Sequence, residues 1–280
     1  MKCDICNSRR SKSLFNEIVK CLECGHVYAK LEISNEELKN LYKYDYFDTD
    51  EYHDYKAEVI SIKKNLKRLL KIITKNTGNP SNKTLVEVGS AYGYFVGEAR
   101  FLFKKVIGTE IAKEPAEYAS NELGLDVRNL DILDWNFDNQ KIVIVCLWDV
   151  IEHLYSPNKY LNKISESLDF DSLIALTTPD IGSLVAKIRK ENWRQIHPPT
   201  HIHYFNKETI THILKINGFE IIHYGHFGRY RTLGMIFYII FVLRIKMPIF
   251  FKLLVFFKHD KVITYLNLYD EMIVIAKKVI

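Results

Sequence analysis

Residues 85–95 read Leu-Val-Glu-Val-Gly-Ser-Ala-Tyr-Gly-Tyr-Phe, LVEVGSAYGYF. An apolar run carrying one acid breaks into a turn with two glycines and an alanine between them. A strand that feeds a glycine-rich turn and then a helix is how nucleotide-binding α/β domains open. A dinucleotide fingerprint needs glycine at 89, 91 and 94, and the chain has Gly89, Ala91 and Tyr94. A phosphate loop needs glycine then lysine at 94 and 95, which are Tyr94 and Phe95. What fits is E-x-G-x-A-x-G: Glu87, Gly89, Ala91 and Gly93. An acid just before the turn repels a pyrophosphate but suits an ammonium. Small residues at 89, 91 and 93 let the backbone pass close under a ligand.

Three more acids extend this reading in order. Glu110 closes the second apolar run, where an acid can bind both hydroxyls of a ribose, with Ile111 beside it. Asp131, in NLDILDW, follows a third strand and can accept from an adenine amine, with Ile132 or Leu133 against the ring. Asp149, in LWDVIEH, follows a fourth strand and stands beside a ligand's amino-acid end. These are strand carboxyl ends, where open α/β sheets bind ligands. Taken singly, each acid is equally a solvated loop residue or a helix cap; the ordered set carries the argument. S-adenosylmethionine, with a cationic amino-acid end, an adenosine end and no phosphate, meets its demands.

Outward from this stretch, short apolar runs alternate with helical patterns. Strands are predicted at 84–88, 105–110, 126–128, 142–147 and 172–177, with helices at 93–103, 114–123 and 158–168. A helix at 207–217 and strands at 218–225 and 271–278 follow. This order predicts an α/β fold, a parallel sheet with helices on both faces. Upstream, Ser34 and Glu37 form a capping box, residues 58–73 have helical spacing, and 76–83 is a turn-rich linker. The apolar segment 233–258 has a longest uncharged run of twelve residues, Thr232 to Leu243. That is short of the roughly 18–20 needed to cross a bilayer, so two amphipathic or buried helices are predicted. Its lysines and Arg244 amid Phe and Ile also suit contact with an anionic membrane surface. The resulting division is 1–33, 34–83 and 84–280, with a helical insertion at 233–258.

Apolar residues make up 48% of the 280 positions and charged ones 26%, the balance of a globular protein, and the net charge is +5. Such mild basicity does not argue for nucleic acid. No apolar leader opens the sequence, and nothing calls for an oxidising compartment, so a cytoplasmic protein is expected. Four of the five cysteines, Cys3, Cys6, Cys21 and Cys24, form two CxxC knuckles with the spacing of a zinc ribbon. A head this short buries little core, and a structural metal explains how it folds. Arg9, Arg10, Lys12 and Lys20 are too few to make it a nucleic-acid grip.

With these residues in view, the chain resembles class I S-adenosylmethionine-dependent methyltransferases. It is most similar to a bacterial family with a DxxEH…P segment after the fourth strand and a "TP" ending the fifth. Here these are Asp149-Val-Ile-Glu152-His153 with Pro157, and Thr178-Pro179-Asp180. PTHIHYFN at 199–206 and MIVIAKK near the end also match, so the resemblance covers about residues 40–280. It implies a seven-stranded Rossmann-like sheet whose last strand is antiparallel. The cysteine pairs followed by LYKYDYF resemble a zinc-ribbon-bearing subgroup that includes sugar C-methyltransferases. That likeness implies a lid of Tyr42, Tyr46 and Phe47 over the cofactor, although the same aromatics can simply pack ribbon against core. In the sugar C-methyltransferases an acid commonly precedes the histidine at 201; Thr200 stands there, which puts carbon methylation in question.

Methyl transfer to an oxygen or carbon acceptor must also remove a proton, a task that suits histidine. His201 and His153 are the candidates, with His203 a third contact to substrate. On pattern alone His153 is equally a helix-start residue bonded to Glu152, and His203 an outward residue of a short strand. A small-molecule acceptor, a sugar or a lipid-linked glycan intermediate, is expected, with no nucleic acid and with peripheral contact at the inner membrane face. Two other readings are an RNA methyltransferase and a non-catalytic methyltransferase-like binding protein. TTPD at 177–180, where amino-methylating enzymes carry (D/N)PPY, disfavours the first. The complete set of cofactor acids disfavours the second.

Overall fold

The computed structural model describes all residues except 1, 32, 45–57, 138–140 and 258, with 42–44 and 243–244 described in backbone alone. The head is an antiparallel meander of β1 (Ser11–Phe15), β2 (Ile18–Cys21) and β3 (Val27–Ala29). Helix α1 (Asn35–Tyr44) opens on the expected box: Glu37 accepts from the Ser34 amide at 2.8 Å, and the Ser34 hydroxyl accepts from the Glu37 amide at 3.1 Å. Helix α2 (Val59–Thr77) runs four residues beyond the predicted end and stops at Gly78, burying Leu69, Leu70 and Ile73.

The central sheet then builds from β4 (Thr84–Val88), β5 (Lys105–Glu110), β6 (Val127–Asn129), β7 (Ile142–Trp148) and β8 (Leu173–Pro179). Between them lie α3 (Tyr94–Ala99), α4 (Lys113–Glu117), which continues as a π turn, and α5 (Pro157–Glu166). After α6 (Leu184–Arg189) come β9 (His203–Tyr204), α7 (Lys207–Ile216) and β10 (Phe219–His226). A hairpin of β11 (Arg229–Thr232) and β12 (Ile263–Leu266) carries the insertion, and β13 (Glu271–Lys278) ends the fold.

The seven strands lie in the order β10-β13-β8-β7-β4-β5-β6. Neighbouring strands from β8 to β6 pair in parallel, and β13 is antiparallel to both its neighbours. This is the Rossmann-like sheet the resemblance implies. Its period of two sorts the apolar residues cleanly. Val86, Val145, Leu147, Ile174 and Val274 join one core with Leu161 of α5 and Ile210 of α7. Leu85, Ile144, Cys146, Leu173 and Ile273 join the other with Leu69 of α2 and Phe95 of α3. Helices therefore cover both faces, and the inner strands β4, β7, β8 and β13 are buried along most of their length. The strand order reverses between β4 and β7, which opens a crevice at their carboxyl ends.

Two features depart from expectation. β9 pairs with β3 (Val27 opposite Tyr204, Tyr28 opposite His203), so PTHIHYF supplies the fourth strand of the head's sheet. The insertion, predicted as amphipathic or buried helices, holds α8 (Leu233–Phe237), a π turn and α9 (Ile249–Phe256), and α9 buries none of its side chains. Phe256 is 76% and Phe257 62% exposed. Among the described residues no helix is long and apolar enough to cross a membrane.

The hairpin is held to the body by Asn65 of α2, whose amide donates to the Tyr230 carbonyl at 2.9 Å and accepts from the Tyr230 amide at 2.7 Å. Asn65→Leu keeps the volume and strips both partners from that backbone unit. A loss of about 2 kcal/mol in equilibrium urea unfolding is expected.

Candidate functional site

A cavity of about 470 Å³ fills the crevice. Its floor is the β4–α3 turn. The Gly89 and Ser90 amides donate to the Thr109 carbonyl at 2.8 and 3.0 Å, pinning the turn to β5. Gly89 has φ +69°, and a Cβ there would lie 2.7 Å from a Val150 methyl. Gly93 has φ +72°, but what approaches it is the Ala119 Cβ, 2.8 Å from where its own would be. Gly93 is thus a packing position at the start of α3, outside the cavity lining, whereas Gly89 and Ala91 line it.

Glu87 and Glu110 stand side by side beneath this turn. Glu110 accepts from the Ala91 amide through one oxygen and the Ala112 amide through the other, both at 2.8 Å. Burial raises it, and these amides work against that shift. Glu87 is 4% exposed, and its Oε2 finds no hydrogen-bond partner among the described residues. Burial first, then Glu110, pushes its carboxyl well above the usual range. Ile111 lines the cavity with them.

Asp131 and Ile132 are not among the lining residues. Asp131 caps the turn that follows it through the Leu133 amide at 3.0 Å, accepts from the Tyr160 hydroxyl at 2.7 Å, and pairs with Lys39 at 2.6 Å. Lys39 and Tyr160 present that network to the cavity. Ile132 is core. Asp149 does line the cavity, with φ +54°, accepting from the Thr177 hydroxyl at 2.8 Å. Its other oxygen faces Arg229, which also reaches Glu271 at 2.7 Å. Burial works against the Arg229 charge, and the two carboxylates outweigh it and raise the group.

Glu152, His153 and His201 also converge on the cavity, with one ligating atom of each within 4.8 Å of the others. His153 Nδ1 donates to the Thr200 carbonyl at 2.9 Å and His201 Nδ1 to the Gln195 carbonyl at 3.1 Å. A carbonyl only accepts, so in the neutral rings Nε2 carries the lone pair. Burial lowers His153 to about 4 and His201 well below its ordinary range, and neighbouring histidines add to both shifts. His203 is elsewhere. Its Nδ1 lies 2.9 Å from His26 Nε2, both rings buried between head and sheet, and it does not line the cavity. The β9–β3 pairing turns it that way. Tyr46 and Phe47 lie outside the described residues, and Tyr42 is placed only by the backbone of α1.

The four head cysteines converge with Sγ atoms within 4.8 Å of one another; Cys3–Cys24 and Cys6–Cys21 are 3.5 Å apart. Tetrahedral thiolates at zinc's ordinary bond length are about 3.8 Å apart, so the set fits that ion. Beside it, Asp4 accepts from the Ser156 hydroxyl at 2.8 Å, tying the knuckle to the start of α5.

A methyltransferase-domain family matches residues 53–224. The chain belongs to that family. Its fold is shared by solved structures at low identity. Magnesium protoporphyrin IX methyltransferase from Synechocystis PCC 6803, solved with bound SAH, matches with TM-score 0.58 and 14% identity, over 88% of this chain and 100% of that one. The YcgJ protein of Bacillus subtilis matches with TM-score 0.55 and 13% identity, over 76% and 99%. Phosphoethanolamine N-methyltransferase 2 of Haemonchus contortus, in complex with S-adenosyl-L-methionine, matches with TM-score 0.53 and 16% identity, over 91% and 62%. No curated protein sequence matches the chain.

Sequence reasoning missed the cationic side of this methyltransferase's cavity: Lys39, Arg194, Arg229 and Arg231, with Glu271 as counter-charge. The one signal was the alternation in GRYRT, which sits on β11. Glu271 titrates at about 7, raised by burial against the pull of Arg229. The unfolded chain releases that proton near 4.5, so its contribution to stability falls as pH rises from 4.5 to 7. Arg229→Met raises the folded value further and extends the fall to higher pH. The expected cost is about 2–3 kcal/mol at pH 8 and less at pH 5, read from urea midpoints at the two pH values.

Proposed function

We propose that the chain transfers a methyl group from S-adenosylmethionine to a small acceptor that carries an anionic group and an apolar portion. A sugar or glycan intermediate on a lipid is the class that has both. The donor supplies an electrophilic methyl on a sulfonium, and the protein's work is to align it with the acceptor. Glu87 is the observation that carries the donor side. A buried carboxylate oxygen without a partner, next to a turn of small residues, suits the cationic amino-acid end of the donor. Asp149 stands on the same side, its charge already answered by Arg229. Glu110, though bonded to two amides, keeps lone pairs for ribose hydroxyls.

On the acceptor side, His201 and His153 stand where a proton is lost, neutral at pH 7. Arg231 lies among cations: burial and then Arg194 and Arg229 lower it to about 10, outweighing Glu271 and Glu58. An anionic group on the acceptor answers that field. Met235 and Ile239 of the insertion line the same cavity and suit an apolar portion. Residues 233–259 contain no acid, and α9 turns Ile249, Leu253 and Phe256 outward beside Lys246 and Lys252. That surface suits an anionic membrane. The ribbon cysteines would hold zinc in a structural role, because four thiolates leave no open position.

Calorimetric titration of the full chain with S-adenosylhomocysteine tests the donor site. Binding by wild type and at least tenfold weaker binding by Glu110→Ala are expected; a flat wild-type titration would overturn it. Sedimentation with anionic phospholipid vesicles tests the surface. Phe256→Ser with Phe257→Ser should cut the bound fraction severalfold and leave S-adenosylhomocysteine affinity unchanged.

A further inference from the structure

We propose that Glu152, His153 and His201 form a divalent-cation site in the acceptor half of the cavity, distinct from the cysteine cluster. The proposal deepens the methyl-transfer reading, on which it rests only for what the cation does.

Three observations point the same way. The geometry comes first: one ligating atom from each residue lies within 4.8 Å of the other two, and all three residues line the cavity. Next comes the ring of outer bonds. His153 and His201 each donate Nδ1–H to a backbone carbonyl, and Glu152 Oε2 accepts from the Thr178 hydroxyl at 2.9 Å. Outer partners of this kind orient metal-binding imidazoles and carboxylates and set the imidazole tautomer. The third is an orphan. Glu152 is 1% exposed, and its Oε1 has no hydrogen-bond partner among the described residues. A protein-only polar cluster leaves that oxygen stranded, whereas a cation satisfies it.

The site is assembled from two distant segments. The Ile202 amide donates to the Glu152 carbonyl at 3.0 Å, and the Tyr204 hydroxyl donates to the His201 carbonyl at 2.7 Å. The β9–β3 pairing anchors the second segment, so the head holds one ligand in place from behind. Two imidazoles and one carboxylate are a nitrogen–oxygen set that suits Mn²⁺, Fe²⁺, Co²⁺ or Zn²⁺, and three protein ligands leave positions for an acceptor oxygen.

An acceptor hydroxyl bound there is acidified and gives its proton to water. Its oxygen forms the new bond to the methyl carbon as the carbon–sulfur bond breaks, and that electron pair stays on sulfur. The products are a methyl ether, a thioether and one proton. With the cation bound, the two histidines act as ligands and the proton leaves through solvent.

Mn²⁺ is the probe, because thiolate sites bind it poorly and the cysteine cluster stays silent. Full-length protein is titrated with Mn²⁺, and free ion is counted by electron paramagnetic resonance. Wild type should bind one equivalent, and Glu152→Gln and His201→Asn should bind at least tenfold more weakly while keeping wild-type affinity for S-adenosylhomocysteine. Without any variant, bound Mn²⁺ should broaden the ring resonances of His153 and His201 in the NMR spectrum of wild type. No stoichiometric binding, variants that bind as wild type does, or sharp ring resonances at one full equivalent would each overturn the site. A wild type that binds S-adenosylhomocysteine but not Mn²⁺ removes the cation and leaves the methyl-transfer reading standing. Failure to bind S-adenosylhomocysteine removes that reading on its own.

Discussion

A parallel sheet covered on both faces leaves its strand ends as the only part open to water. That constraint gathers the chemistry of this molecule at one edge. Val88 runs into Gly89, β5 ends on Glu110, Trp148 runs into Asp149, and β8 ends at Pro179. All four departures lie on the four adjacent strands that flank the reversal between β4 and β7. A charged group placed anywhere else along these strands would be buried against leucine and isoleucine. Even here the cost is visible, since burial raises Glu87, Glu110 and Glu152 and lowers His153 and His201.

The two ends of the chain close what the sheet leaves open. β13 inserts antiparallel between β8 and β10 and starts at Glu271, so its first residue meets Arg229 across the cavity wall. The head reaches the side of the cavity that holds His201 through β3 and β9. Three short strands and a cysteine cluster thus set the backbone from which His201 hangs, and the buried pair of His26 and His203 fills the seam behind it. The cysteine-bearing head therefore bears on the geometry of the crevice.

What could be read in the residues follows from how local the cause is. β4, β5 and β13 were predicted to their final boundaries because each is a bounded apolar run, and the Ser34–Glu37 box was legible because it is four residues long. A short strand at His203 was legible too, but not its pairing, because the partner strand lies in the head. The β11–β12 hairpin was hidden because the whole insertion separates its strands. At the crevice, the acids at 87, 110 and 149 were legible by type and position. Their partners were not, since Arg229 meets Asp149 only after β10 and β11 have turned back over the cavity. Gly93 shows the complementary limit. A positive φ favours glycine whether a ligand or the Ala119 methyl lies alongside, and the residue type is the same in both cases.

The placement of the insertion constrains the acceptor more than any single side chain does. Arg229 and Arg231 bring their charges to the cavity from β11, and α8 begins two residues later and adds Met235 and Ile239 to the same lining. Charge and apolar surface are therefore presented side by side by one continuous segment. A free polar sugar would use the arginines and leave the apolar wall idle. A lid that merely excluded water would turn its hydrophobic face inward, yet no residue of α9 is fully buried and Phe256 is exposed. On the proposed reading, an acceptor whose anionic group enters the crevice and whose apolar portion runs along Met235 and Ile239 toward a lipid surface accounts for both faces of the insertion at once.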